Sequence, residues 1–198
     1  MTPNFIKYKF NEKYFLKIIP NKNNIILDYG CGKGVFTKIT LRDNKIGKIL
    51  CYDIDKNLKN FIKKKYIKNQ KIKWIDNYQS HNFNIVLINS VVQYIDKYQW
   101  KKTLNFFLNK KSVKIIIISD ISSYHRIIEI FYLLVFSPSI FIKFFKFYLN
   151  RDYITTKYYF KSMKEIISKK NNIKFKKKDN FFNNHLPRYS LIINKIIK

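Results

Sequence analysis

The chain has 198 residues, of which 46% are hydrophobic, and this length and composition fit one folded domain rather than a disordered chain. Its two cysteines are too few for a disulfide framework, and they offer no paired spacing for a metal site. The formal net charge of +28 suggests a nucleic-acid partner. However, 36 of the 40 basic residues are lysine and alanine is absent, a composition that is typical of AT-rich codons. We therefore interpret most of the lysines as solvated surface residues.

Strand and helix patterns alternate through the first 120 residues. Residues 1–20 predict an amphipathic leading helix that ends at a proline. Predicted strands follow at 24–29, 47–53, 71–76, 83–90 and 112–120, with predicted helices at 33–44, 56–68 and 96–110. Strands that alternate with helices predict an α/β fold in which helices cover both faces of a mostly parallel sheet.

The last third of the chain departs from this alternation. Residues 172–178 and 188–196 are two strand patterns with no helix between them, which predicts an antiparallel hairpin and a total of seven strands. Residues 122–156 form an aromatic insertion that charged residues and a Ser-Pro pair at 137–138 interrupt, so it does not fit a transmembrane helix. We expect a lid over an acceptor pocket, and residues 127–149 could also contact a membrane surface.

Three of the four glycines of the chain lie at positions 30, 32 and 34, between the first strand and its helix. A dinucleotide-binding loop would need its third glycine at position 35, and a phosphate-binding loop would need Ser or Thr after Lys33. Asp28 directly precedes the glycines, and a carboxylate there would repel a pyrophosphate but attract an amino group. The pattern therefore favours a ligand other than a dinucleotide.

Residues 27–34, LDYGCGKG, resemble the first motif of the class I S-adenosylmethionine-dependent methyltransferases, LDxGCGxG. The resemblance extends from residue 24 to about residue 121. It implies a Rossmann-like methyltransferase fold, a single domain over residues 1–198 and S-adenosylmethionine as cofactor.

The same resemblance implies a set of cofactor contacts. Asp28 would hold the ammonium group, Asp53 at the end of the second strand would accept from both ribose hydroxyls, and Ile54 would lie against the adenine. Asp76 would accept from the adenine amino group. The full implied set is Asp28, Tyr29, Gly30, Cys31, Gly32, Gly34, Asp53, Ile54, Asp76, Asn77 and Asn89. In the fourth motif, Asn84 replaces the acid that is common in the family.

The sequence is less specific about the acceptor. The fourth motif reads INSV at 88–91, without the Asn/Asp-Pro-Pro-Tyr/Phe run of methyltransferases that act on nucleobase amines. The tail at 181–195 is similar to methyltransferases of bacterial surface-polysaccharide synthesis. These features favour a small-molecule or lipid-linked glycan acceptor. An RNA methyltransferase and a non-catalytic cofactor-binding module are the alternatives, and nucleic acid is the less favoured partner.

Three residues are candidates for catalysis, namely Asp120 at the end of the fifth strand, His125 just after it and Tyr94 beyond the fourth motif. His185, in the loop before the last strand, is a further possible base. No cluster has metal-ligand spacing, so we expect no metal, with Mg²⁺ held by scattered carboxylates as the alternative. The amino-terminal residues lack the apolar core of a signal peptide, so we expect a cytoplasmic protein, with or without peripheral contact at the inner face of the membrane.

Overall fold

The computed structural model describes residues 16–20, 23–41, 43–122, 163–168, 172–180 and 188–196. The strands among them are β1 (Asn24–Tyr29), β2 (Ile46–Tyr52), β3 (Ile72–Trp74), β4 (Ile85–Asn89), β5 (Ile115–Ser122), β6 (Ile173–Asn180) and β7 (Arg188–Lys195). The helices are α1 (Val35–Thr40), α2 (Leu58–Lys65) and α3 (Lys97–Asn109), and a 3₁₀ turn spans Val92–Tyr94. Residues 16–18 and 163–168 are also helical.

One sheet contains all of these strands in the order β3-β2-β1-β4-β5-β7-β6. The pairs from β3 through to β5 are parallel, whereas β7 pairs antiparallel with both β5 and β6. This arrangement confirms the predicted α/β fold class and the antiparallel closing hairpin. The strand order reverses between β1 and β4, and the crevice at the carboxyl ends of such strands is where open α/β sheets bind ligands.

Hydrophobic cores lie on both faces of the sheet, which is why the central strands are apolar at almost every position. Successive residues of β1 divide between the faces, so that Leu27 joins the core under α3 and Ile26 joins the core under α1 and α2. α3 contributes Leu104 to the first core, while Phe36 and Ile62 reach the second core from α1 and α2. The predicted coverage of both faces is therefore present.

β5 continues to Ser122, two residues beyond its predicted end at Asp120. Its register against β7 shifts between Ile118 and Ile121, which is a β-bulge that includes Asp120. The strand runs on because β7 supplies a pairing partner past the bulge, and sequence periodicity does not reveal such a partner. Bulges are frequent beside active sites, where they redirect a side chain.

Asn84 links β1 and β4 at the amino end of the sheet, opposite the ligand-binding crevice. Its Oδ1 accepts a hydrogen bond from the Ile25 N–H at 2.8 Å, and its Nδ2 donates to Asn24 Oδ1 at 2.8 Å. An amide can both accept and donate, whereas a carboxylate can only accept. The departure from the family pattern at this position therefore has a structural explanation, remote from the crevice.

Several predicted features lie outside the described residues. They are the leading helix before residue 16, residues 123–156 of the insertion including the membrane-contact segment, and both His125 and His185. The single-domain division over residues 1–198 stays a prediction. Within the described ranges, the helices are all too short or too polar to span a bilayer.

Candidate cofactor-binding site

A cleft of about 460 Å³ lies at the carboxyl ends of β1, β2 and β4. This volume is within the usual range for small-molecule sites, roughly 300–1,000 Å³. Most of the predicted cofactor residues line it, together with residues that follow β4. The lining residues are Asp28, Tyr29, Gly30, Cys31, Gly32, Lys33, Val35, Phe36, Tyr52, Asp53, Ile54, Asn89, Ser90, Val91, Tyr94, Ile95 and Gln99.

The glycine loop, residues 30–34, is held by hydrogen bonds from its own backbone N–H groups. Those of Gly30 and Cys31 donate to the Tyr52 carbonyl at 2.8 and 3.0 Å. That of Gly32 donates to Asp53 Oδ2 at 2.9 Å, and that of Gly34 to the Cys31 carbonyl at 2.9 Å. A phosphate-binding loop instead directs its N–H groups at the ligand. The geometry therefore agrees with the sequence-based exclusion of a phosphate cradle.

Gly30 and Gly32 are required for different reasons, although both have positive φ, at 74° and 52°. A Cβ on Gly30 would lie 2.4 Å from Val91 Cγ2, so side-chain packing excludes it. A Cβ on Gly32 would meet no atom within 4 Å, and Gly32 lines the cleft. Ligand approach to the backbone, the reason predicted for these glycines, therefore applies to Gly32 and not to Gly30.

Asp28 is a buried carboxyl group at the base of the cleft. Its Oδ2 accepts a hydrogen bond from Thr37 Oγ1 at 2.6 Å. Burial raises the pKa of Asp28 to about 6; the Thr37 hydrogen bond opposes this rise and the nearby Asp53 carboxylate adds to it. A cation beside Asp28 would favour its ionised form, so the site fits an ammonium group.

Asp53 follows β2 directly and is half-buried at the cleft. Its Oδ2 accepts from the Gly32 N–H at 2.9 Å, and its Oδ1 accepts from the Asp55 N–H at 3.0 Å. Each carboxylate oxygen has two acceptor positions, so both oxygens retain capacity for a further donor. Two adjacent ribose hydroxyls fit this capacity. Ile54, with 85% of its surface exposed, offers an apolar surface beside them for a flat ring.

The segment after β4 forms the other wall of the cleft. Asn89 Oδ1 accepts from Ser119 Oγ at 2.8 Å, which fixes the side chain at the end of the strand. Ser90 has a φ of 58°, an uncommon value for a residue other than glycine. Tyr94 lines the cleft as a half-exposed side chain, so this predicted catalytic residue lies where an acceptor could reach it.

Three other predicted cofactor residues, Gly34, Asp76 and Asn77, do not line the cleft. Asp76 accepts from Lys59 Nζ at 2.7 Å and from Trp74 Nε1 at 3.0 Å, and these bonds, that of Lys59 first, hold its pKa below the usual value. Asn77 accepts from the Gln79 N–H at 2.9 Å. Their contacts with adenine stay predictions, as do the catalytic roles of Asp120, whose side chain is outside the described part, and of His125.

Some residues at the site were not anticipated from the sequence. Thr37, the partner of Asp28, lies in the first turn of α1, and Gln99 reaches the cleft from α3. Neither position carries a sequence signal by itself, because each depends on where a helix packs against the sheet. Across the residues that the structure describes, no three His, Cys, Asp or Glu side chains gather as a metal site would require.

Comparison with known proteins agrees with this geometry. Residues 27–106 match a family model described as a methyltransferase domain, a range that includes the glycine loop and Asp53. The ribosomal RNA small subunit methyltransferase A of Mesomycoplasma hyopneumoniae (strain 232) is 36% identical over 73 residues. That alignment covers 37% of this chain and 27% of the relative, so the match spans about a quarter of the relative's length.

Solved structures extend the likeness over nearly the whole chain. The methyltransferase domain of bacterial CtHen1-C is 11% identical, with a TM-score of 0.69 and coverage of 99% of this chain and 100% of that one. The plantazolicin methyltransferase BpumL, solved with a monoazolic desmethylPZN analogue and SAH, is 14% identical, with a TM-score of 0.69 and coverage of 98% and 84%. These solved structures show that the chain has the fold of a methyltransferase domain, and the family match over residues 27–106 places the glycine loop and Asp53 within the part that resembles such a domain in sequence.

Proposed function

We propose that this chain transfers a methyl group from S-adenosylmethionine to a small-molecule or glycan acceptor. The observation that carries the proposal is that two carboxyl groups, those of Asp28 and Asp53, lie in one cleft on either side of the glycine loop. Asp53 binds the Gly32 N–H, and Asp28 lies buried at the start of the same loop within one cleft. This arrangement offers a site for a cation and a site for a diol on either side of a backbone that ligands can approach.

Each part of this arrangement matches one part of the cofactor. Asp28 would hold the ammonium group, Asp53 the ribose hydroxyls and Ile54 one face of the adenine. The bound cofactor would supply a methyl group that its sulfonium already activates. The protein would contribute by fixing the donor and an acceptor in one orientation, and such positioning can account for a large part of a rate enhancement.

The wall beyond β4 would receive the acceptor. Its side chains are uncharged and include hydrogen-bonding groups on Asn89, Ser90, Tyr94 and Gln99. These groups support an acceptor with a neutral hydroxyl or amine at the reacting end. Tyr94 would orient that group or assist its deprotonation, and Asp120 and His125 are further candidates for the base. Contact of residues 127–149 with the cytoplasmic face of a membrane belongs to this same proposal.

RNA is the second candidate acceptor. The net charge of +28 and the partial match to a ribosomal RNA methyltransferase favour it. The sequence that follows β4 opposes a nucleobase amine, because it lacks the proline pair typical of such enzymes. We therefore rank RNA below a small-molecule or glycan acceptor.

A transfer assay separates these candidates. The full chain is incubated at physiological salt with a cell extract and S-adenosylmethionine that carries a tritiated methyl group. We expect label in acid-soluble or solvent-extractable material, and much less label when Asp53→Asn replaces the wild type at limiting S-adenosylmethionine. Label in acid-precipitable material that RNase releases would instead identify RNA as the acceptor. The absence of label from every fraction would contradict the proposed activity.

A further inference from the structure

The end of α2 contacts the second half of the glycine loop. The Tyr66 hydroxyl donates to the Gly34 carbonyl at 2.6 Å, and Lys65 Nζ donates to the Lys33 carbonyl at 2.7 Å. Both donors come from the point where α2 ends, 32 residues further along the chain. Neither Lys65 nor Tyr66 belongs to the family motif at residues 27–34.

Tyr66 contacts the loop through its ring as well as its hydroxyl. A Cβ on Gly34 would lie 3.0 Å from Tyr66 Cε2 and 2.8 Å from Ile62 Cδ1, so the ring packs directly against the glycine. Burial, as the largest cause, raises the pKa of Tyr66 to about 12. The phenol therefore remains protonated, and able to donate, at any physiological pH.

The Gly34 carbonyl is also the point where the loop becomes a helix. It accepts the Lys38 N–H of α1 at 3.1 Å in addition to the Tyr66 hydroxyl. The first half of the loop is tied to Tyr52 and Asp53, at the end of β2. Both halves of the loop are thus fixed by one continuous unit, β2 followed by α2.

We infer that Tyr66 is a positioning residue for the cofactor, which fixes the 33–34 arm of the glycine loop relative to Asp53. This inference rests on the proposed function, in which the loop packs against the methionyl half and Asp53 holds the ribose. Lys65 acts as a second, solvent-exposed tie on the same arm. Loss of the Tyr66 hydroxyl would loosen the methionyl side of the site and leave the nucleoside side in place.

Binding measurements on Tyr66→Phe test this inference, because the substitution keeps the ring and removes one donor. We expect the Kd for S-adenosylmethionine to rise about 5- to 10-fold, as for one lost hydrogen bond in a partly buried site. The Kd for 5′-methylthioadenosine, which lacks the amino-acid half, should change less than about twofold. Tyr98→Phe removes an exposed hydroxyl that does not line the cleft and should alter neither.

The outcomes distinguish the inference from the proposed function. A variant that loses affinity for both ligands equally, or for neither, would overturn the positioning role while cofactor binding stands. Failure of the wild type to bind S-adenosylmethionine would overturn the proposed function itself. An independent measurement needs no ligand: amide hydrogen exchange at Gly34 and Lys38 should quicken in Tyr66→Phe, and unchanged exchange would contradict the tie.

Discussion

At the scale of single residues, Asp28 combines a functional benefit with a cost in stability. Its carboxyl group is buried with Thr37 as its hydrogen-bond donor, and it forms no ion pair with any residue that the structure describes. An ionised carboxylate without a positive partner is unfavourable in such surroundings. This cost is consistent with a binding site for a cationic ligand, because a bound ammonium group would offset the cost of burying the charge.

This cost predicts a dependence of stability on pH. The pKa of Asp28 is about 6 in the folded chain, against an ordinary value of 3.8. The folded chain therefore binds the proton more tightly, and the contribution of Asp28 to the free energy of unfolding falls as pH rises from about 4 to about 6. Other carboxylates change too, so the informative quantity is the difference between the wild type and Asp28→Asn.

Urea unfolding of both proteins at pH 4 and pH 7.5 measures that difference. Asp28→Asn should gain about 2 kcal/mol relative to the wild type between the two pH values, because the amide has no charge to desolvate. A difference that is the same at both pH values would show that Asp28 titrates normally in the folded chain.

At the scale of elements, the glycine loop couples β1, β2 and the segment after β4. Val91 occupies the space beside Gly30, Asp53 holds the Gly32 N–H, and Tyr66 packs on Gly34. These neighbours come from the segment after β4, the end of β2 and the end of α2, so three elements position the loop. Substitutions at Gly30 and Gly32 should consequently have different effects.

The matched variants Gly30→Ala and Gly32→Ala separate packing from ligand approach. Both force a side chain into positive φ, at a cost of roughly 1–2 kcal/mol. Gly30→Ala also overpacks against Val91, which adds about 1–3 kcal/mol to the loss measured by urea unfolding. Gly32→Ala should be the more stable of the two variants. Its affinity for S-adenosylmethionine should nevertheless fall under conditions in which the variant is fully folded. Equal stabilities, or unchanged affinity in Gly32→Ala, would contradict this division.

Most of the fold could be predicted from the sequence, because apolar runs such as 85–88 are buried on both faces of the sheet and because the sequence between the two closing strand patterns has no helical periodicity. Asp53 was predictable because the end of a parallel strand fixes which edge it reaches. The contacts of Tyr66, Thr37 and Asn84 were not, since each joins residues whose proximity depends on tertiary packing. The predicted end of β5 at Asp120 was wrong, because a bulge and pairing with β7 extend the strand to Ser122.

At the scale of the whole molecule, the cleft differs in charge from the rest of the chain. Its charged lining residues are two aspartates, Asp28 and Asp53, and one lysine, Lys33, in a protein of net charge +28. A locally negative site favours a cationic donor, whereas the lysine-rich surface attracts polyanions of any sequence at low salt. RNA retention at low salt therefore says little about the acceptor, and assays belong at physiological ionic strength.

Calorimetric titration of S-adenosylmethionine into the full chain tests the central claim most directly. We predict a one-site isotherm for the wild type, a Kd at least about 10-fold weaker for Asp53→Asn, which loses a charged acceptor, and an unchanged Kd for the neighbouring exposed Asp55→Asn. Equal affinity in the wild type and Asp53→Asn would show that the ribose is bound elsewhere. The absence of binding heat for the wild type, with no displacement of a bound analogue, would contradict the assignment of this cleft to the cofactor.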